Sequence, residues 1–151
     1  MKKYGFSLSE VMVTLVVIGV IAMLVVPNVI DSSTSKLNIT AANKAKMDVH
    51  QAAMRLQAEC PRWHGCTTAQ LLAKFKSYLP DNGDTTYYFK NDTSGVAVDV
   101  DGGGTPDLAY TLSSDGTVEE NSDCSVTKYK AGTACVSTKI DTNFSTNYTK
   151  R

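Results

Sequence analysis

From Phe6 to Ile30 nearly every position is apolar or small, and the run holds a single charge, Glu10. At about 1.5 Å of rise per residue, roughly 20 such residues cross the hydrocarbon of a bilayer, so the run predicts a transmembrane helix. Lys2 and Lys3 stand on its N-terminal side. The positive-inside rule then puts Met1 in the cytoplasm and everything after Asp31 outside. Gly19 and Pro27 interrupt the run. Pro27 has no N–H to donate and its ring clashes with the carbonyl of residue 23, which predicts a kink or a local opening there.

After the polar stretch Asp31–Ser35, helical spacing returns. Leu37, Ala41, Ala45, Val49, Ala52, Ala53 and Leu56 recur three and four residues apart and make one apolar stripe, while Lys44, Lys46, Asp48, Gln51 and Arg55 take other faces. The alanines in the stripe allow a sheet to approach closely. Span and stripe together predict one long helix, half in the membrane and half under an exported domain. Thr67-Thr68-Ala69-Gln70 reads as a capping box that opens a short helix through Tyr78, with Leu71, Leu72, Phe75 and Leu79 buried and Pro80 closing it. Asp81-Asn82-Gly83-Asp84 turns the chain. Four β-rich runs follow, at Thr86–Lys90, Val96–Val100, Leu108–Leu112 and Gly116–Glu119, separated by turns rich in Gly, Asn, Asp and Ser. They predict an antiparallel meander packed on the alanine stripe. Asn143–Thr149 is a last edge strand or a loose tail. The expected fold class is α+β, a long N-terminal helix against a small antiparallel sheet.

Composition narrows the picture. A chain of 151 residues holds one span and one domain of roughly 100–120 residues. Fifteen basic residues balance fifteen acidic ones, so no global field argues for nucleic acid or an anionic surface. The four cysteines, at 60, 66, 124 and 135, all lie beyond the span. In an exported domain they read as two disulfides rather than a metal site or reactive thiols. Three connectivities are open, and the two local pairs, Cys60–Cys66 and Cys124–Cys135, are favoured. Cys60, Cys66 and His64 fit no common zinc spacing, and the Cys-x-x-Cys redox pattern is missing as well.

Glu10 carries the first candidate chemistry. An acidic side chain well inside a spanning helix costs ~2.5–3.5 kcal/mol on insertion scales, and such groups are functional by default. Glu10 lies one helical turn after Phe6. A cut between Gly5 and Phe6 would give Phe6 a cationic amine, and that amine and the carboxylate would neutralise each other, within one chain or between neighbours. The intermolecular version sets a register for packing many copies side by side.

These residues resemble the signature of the type IV pilins and type II secretion pseudopilins: a short basic leader ending in Gly, then Phe-Thr/Ser-Leu-x-Glu and a long apolar helix. Lys2, Lys3, Gly5, Phe6, Ser7, Leu8 and Glu10 stand in those positions, and Gly19 and Pro27 match the family's helix-breaking Gly and Pro. Ser9 and Val11 stand where the family usually has Ile and Leu. The resemblance implies a leader over 1–5, a filament-core helix over 6–30 and an exported pilin-like roll over 31–151. It also implies cleavage after Gly5 by a prepilin peptidase, methylation of Phe6, and a structural rather than enzymatic role. The expected partners are copies of the chain and other pilins, the peptidase/methylase, the inner membrane and an assembly platform. The expected location is the bacterial inner membrane, then an extracellular pilus or a periplasmic pseudopilus. The disulfide-bounded segment near the C-terminus resembles the pilin variable loop.

Asp99-Val100-Asp101-Gly102-Gly103-Gly104-Thr105-Pro106-Asp107 is the one plausible metal loop, with Asp99, Asp101 and Asp107 as candidate calcium ligands. It lacks the EF-hand spacing and its closing Glu, and a solvated hairpin turn is the competing reading. Major pseudopilins resemble it in having a calcium-bound loop late in the chain. Enzymatic motifs are missing: two histidines, no Gly-x-Ser-x-Gly elbow, no phosphate-cradling loop, no metalloprotease motif. A different class of function, an uncleaved membrane-tethered binding domain, is the alternative.

Overall fold

The computed structural model describes Gly5, residues 7–81, Gly83 and residues 85–151, with backbone alone over residues 27–35. The chain divides into two compact units, Met1–Leu37 and Asn38–Arg151. The first helix, α1 (Leu8–Glu59), is assigned to both, and each unit is taken on its own below.

In the first unit, the helical assignment continues through Gly19 and Pro27, so the local opening expected at Pro27 is not found. The Pro27 side chain lies outside the described residues. Every side chain from Leu8 to Val26 is exposed. This stretch is long and apolar enough to cross a membrane. A helix that is apolar all round is stable only when lipid or other helices surround it.

In the second unit, α1 buries Ala42, Ala45, Val49, Ala52, Ala53 and Leu56, with Cys60 at its end. One correction is needed at the start of this stripe. Leu37 is 69% exposed and Ala41 half-buried, while Ala42 is fully covered. The steps 42–45–49–52–56 alternate three and four and hold one side of a 3.6-residue helix, whereas four-residue steps back from Ala45 drift off it.

The helix α2 (Thr68–Tyr78) starts from a reciprocal capping box. The Gln70 N–H donates to Thr67 Oγ1 at 3.3 Å, and the Thr67 N–H donates to Gln70 Oε1 at 2.9 Å. It buries Leu71 and Phe75, and the Phe75 ring meets Phe89 edge-on at 5.7 Å.

Five antiparallel strands follow: β1 (Thr86–Lys90), β2 (Gly95–Asp99), β3 (Leu108–Leu112), β4 (Val118–Glu120) and β5 (Tyr148–Lys150), in the order β4-β3-β2-β1-β5. The first four form the meander. The last returns along the outside of β1, so the segment read as edge strand or tail supplies a strand of three residues.

One face of the sheet contributes Tyr87, Phe89, Val96, Val98, Leu108, Tyr110 and Leu112 to the core shared with α1 and α2. On the other, Ala109 packs with Cys124, Cys135 and Ile140. Hence all five residues of β2 are buried, as a strand covered on both faces should be. The covering segment contains α3 (Val126–Lys130), α4 (Ser137–Ile140) and α5 (Phe144–Asn147). Disulfides join Cys60 to Cys66 and Cys124 to Cys135, with Cα separations of 6.0 and 5.0 Å. The first closes the turn that ends α1. The second is buried against β3, where Ala109 donates its N–H to the Cys124 carbonyl at 2.9 Å.

Candidate functional site

The carboxylate of Glu10 sits in the first turn of α1 and is occupied by its own chain. The Ser7 N–H donates to Glu10 Oε2 at 3.0 Å, and the Ser7 hydroxyl donates to the same oxygen at 3.2 Å. In return the Glu10 N–H donates to Ser7 Oγ at 3.3 Å. The Ser7 carbonyl accepts the first helical bond, from Val11 N–H at 3.3 Å. Ser7 is therefore the N-cap and Glu10 the third helical residue of a capping box. A cap of this kind is worth about 1 kcal/mol, and the positive end of the helix dipole favours the negative charge.

Ser7 is a residue whose role the sequence reading missed. Its signal was present, Ser-x-x-Glu ahead of an apolar run, but a charge inside a membrane span draws attention to charge neutralisation before capping. One turn further on, Thr14 satisfies its hydroxyl by donating to the Val11 carbonyl at 2.9 Å.

Gly5 is exposed, and among the described residues nothing lies within 4 Å of where a Cβ would stand; the same is true of Gly19. Crowding by the described residues therefore does not demand glycine at either position. Phe6, Lys2 and Lys3 lie outside the described residues.

The acidic loop is a separate constellation in the second unit. One carboxylate oxygen from each of Asp99, Asp101 and Asp107 lies within 4.8 Å of the others. The loop's own backbone accounts for much of that convergence. Asp99 accepts from the N–H of Gly102 at 2.8 Å and of Gly104 at 2.7 Å, one on each oxygen. Asp101 accepts from Gly103 N–H at 2.8 Å, and Asp107 Oδ2 from Val100 N–H at 2.8 Å. Gly102 and Gly104 have φ of 74° and 80°, a backbone region that favours glycine. Burial raises the Asp99 carboxyl, against the opposing pull of the Gly104 and Gly102 amides. Burial likewise raises Asp107, against the Val100 amide. The spare lone pairs and uncompensated charge fit a hard cation with oxygen ligands, and the backbone bonds equally fit a self-closed turn.

Residues 1–26 match the family model described as the prokaryotic N-terminal methylation motif. The chain carries the type IV pilin/pseudopilin signature. Within the matched residues of this pilin signature lie Gly5, Ser7, Glu10 and Gly19, and the apolar stretch Leu8–Val26. Proteins that carry this pilin-type motif are structural subunits, and the motif together with the apolar helix points to membrane anchoring. No curated protein and no solved structure matches the chain.

Proposed function

We propose that the protein is a structural subunit of a type IV pilus-like filament. It enters the inner membrane as a prepilin, loses its leader by cleavage after Gly5, is N-methylated at Phe6, and assembles through its N-terminal helix. Glu10 pairs with the N-terminal amine of a neighbouring subunit, and Gly19 and Pro27 give the core helix the freedom to adjust on packing. The observation that carries this reading is a methylation motif laid over an apolar helical stretch, Leu8–Val26, with every side chain exposed and one carboxylate in its first turn. Partners of such a subunit are its own copies, other pilins, the peptidase/methylase and an assembly platform.

Mass spectrometry of the mature N-terminus tests the processing step. A methylated Phe6 is expected, and an intact Met1 favours instead an uncleaved tethered domain. Electron microscopy of surface filaments with and without this subunit tests assembly.

A second reading, a pseudopilin of a secretion system, is favoured by the convergence of Asp99, Asp101 and Asp107. Calcium held there would close the loop between β2 and β3. A rise in melting temperature on adding calcium, lost in Asp101→Asn, would support that reading; an unchanged melting temperature would remove it.

A further inference from the structure

The end of the chain is fastened to the sheet differently from the rest of the second unit. From Val136 to Arg151 no side chain is buried. β5 pairs with β1 in the register Tyr88↔Lys150, Phe89↔Thr149 and Lys90↔Tyr148. The other fastenings are polar or aromatic: Arg151 donates its backbone N–H to the Tyr87 carbonyl at 3.0 Å and its guanidinium, in a part-buried bond, to the Leu79 carbonyl, and Asn91 donates its backbone N–H to the Asn147 carbonyl at 2.8 Å. Asn91 donates its side-chain N–H to the Thr146 carbonyl at 3.1 Å and accepts from the Thr149 hydroxyl at 2.8 Å. Phe144 stacks on Tyr148 at 4.4 Å and meets Tyr88 at 5.6 Å. Tyr148 reaches over β1 to β2, where a Cβ on Gly95 would stand 2.8 Å from its hydroxyl oxygen. Gly95 thus leaves the Tyr148 hydroxyl a space that a side chain there would make it give up.

Segments with few buried apolar groups and water-facing hydrogen bonds open well before the core does. β1 is held independently, by Tyr87 and Phe89 in the core and by its pairing with β2. When β5 lifts, the outer edge of β1 keeps its shape and presents unpaired backbone groups to any extended chain. Its best complement is the segment that has just left. The same residues of another copy reproduce the register, both Asn91 side-chain bonds and the Gly95 seat. Residues 141–147, once free, span about 25 Å when extended, long enough to carry β5 to an adjoining copy.

We propose that residues 141–151 form a releasable strap, seated by Tyr148 against Gly95, and that the β1 edge beneath it accepts the same strand from a second copy of the chain. The exchange is a domain swap that leaves every contact type unchanged. It needs only two copies in proximity and stands apart from the filament reading.

The test uses the full chain in detergent, prepared in light and heavy isotope forms, mixed, and treated with an amine-reactive cross-linker that joins Lys90 to Lys150. Gly95→Ala should speed hydrogen exchange of amides 148–151 at least about tenfold while leaving 96–98 unchanged. It should also raise the share of heavy–light Lys90–Lys150 hybrids. Removing the clashing hydroxyl, in Gly95→Ala/Tyr148→Phe, should restore both. Asn91→Ala, which cuts two tethers without entering the core, should act like Gly95→Ala if the latter folds poorly. The proposal is overturned if 148–151 and 96–98 accelerate together, if neither accelerates, or if only same-isotope pairs form when the strap is open.

Discussion

Replacing Glu10 by Gln separates two jobs that the wild-type residue performs together. In the single chain Glu10 accepts from the Ser7 N–H and hydroxyl, and a Gln side chain keeps the carbonyl oxygen needed for the 3.0 Å bond to Ser7. Gln serves in capping boxes as Glu does, so the cap should survive in Glu10→Gln and be lost, at about 1 kcal/mol, in Glu10→Ala. Both changes remove a charge that costs ~2.5–3.5 kcal/mol at membrane depth, so neither should impair insertion. Assembly is where they should fail. Leaving a neighbour's buried amine without its partner costs ~3–5 kcal/mol, or roughly a hundred- to several-thousand-fold in association. The assay is the ratio of sedimentable filament to membrane-held subunit, with both variants expressed equally. Charge pairing predicts that Gln and Ala fail alike. Wild-type filament yield from Glu10→Gln alongside failure of Glu10→Ala would refute the pairing and leave capping as the whole function of Glu10.

Other expectations follow from the second unit. Opening Cys124–Cys135, which closes an 11-residue separation, should cost about 3 kcal/mol by the loop-closure relation, against about 2 for Cys60–Cys66 at a separation of 6; urea unfolding of paired Cys→Ala variants reads both. Phe75→Ala removes a buried ring set edge-on to Phe89 and should lower stability by about 3–5 kcal/mol in the same measurement. The Glu120 carboxyl is pushed up by burial, but the Lys46 ammonium 2.9 Å away and the Val126 N–H more than offset this and hold it below its ordinary 4.5. Its contribution is therefore present above pH 4.5 and lost as pH falls through the lower folded value. Glu120→Gln should cost about 1 kcal/mol at neutral pH, because the pair is partly exposed, and the gap to wild type should close in acid; unfolding curves from pH 7 to 3 check the sign.

The elements that could be read ahead share a local cause. The capping box at Thr67 and Gln70, and the glycine- and aspartate-rich turns between strands, act within a few residues, so α2 and the first three strands follow from short windows. β5 obeys a different rule. Three residues, Tyr148-Thr149-Lys150, become a strand because β1 offers an edge, and no local pattern carries that information. The buried side of α1 was misplaced at its start because Ala41 and Ala42 differ in nothing but position. A stripe of small residues has too little contrast to reveal which of two neighbours faces the sheet. At the candidate site, Glu10 stood out by its charge, and its pairing with a neighbour is a proposal, whereas its bond to Ser7 was hidden by the membrane context of both. The convergence of Asp99, Asp101 and Asp107 was foreseeable from spacing, but the backbone amides that draw them together depend on two glycines at positive φ.

The alanine side of α1 has a consequence for how such a domain can vary. Ala42, Ala45, Ala52 and Ala53 put only methyl groups on the buried side of α1, so thickness at this seam is set by the large sheet side chains packed with them, Tyr87, Phe89 and Tyr110 among them. Lengthening or recolouring the outer coat between Cys124 and Cys135 leaves that dimension untouched. The protein can therefore change what it shows to the outside while its inner gauge stays constant.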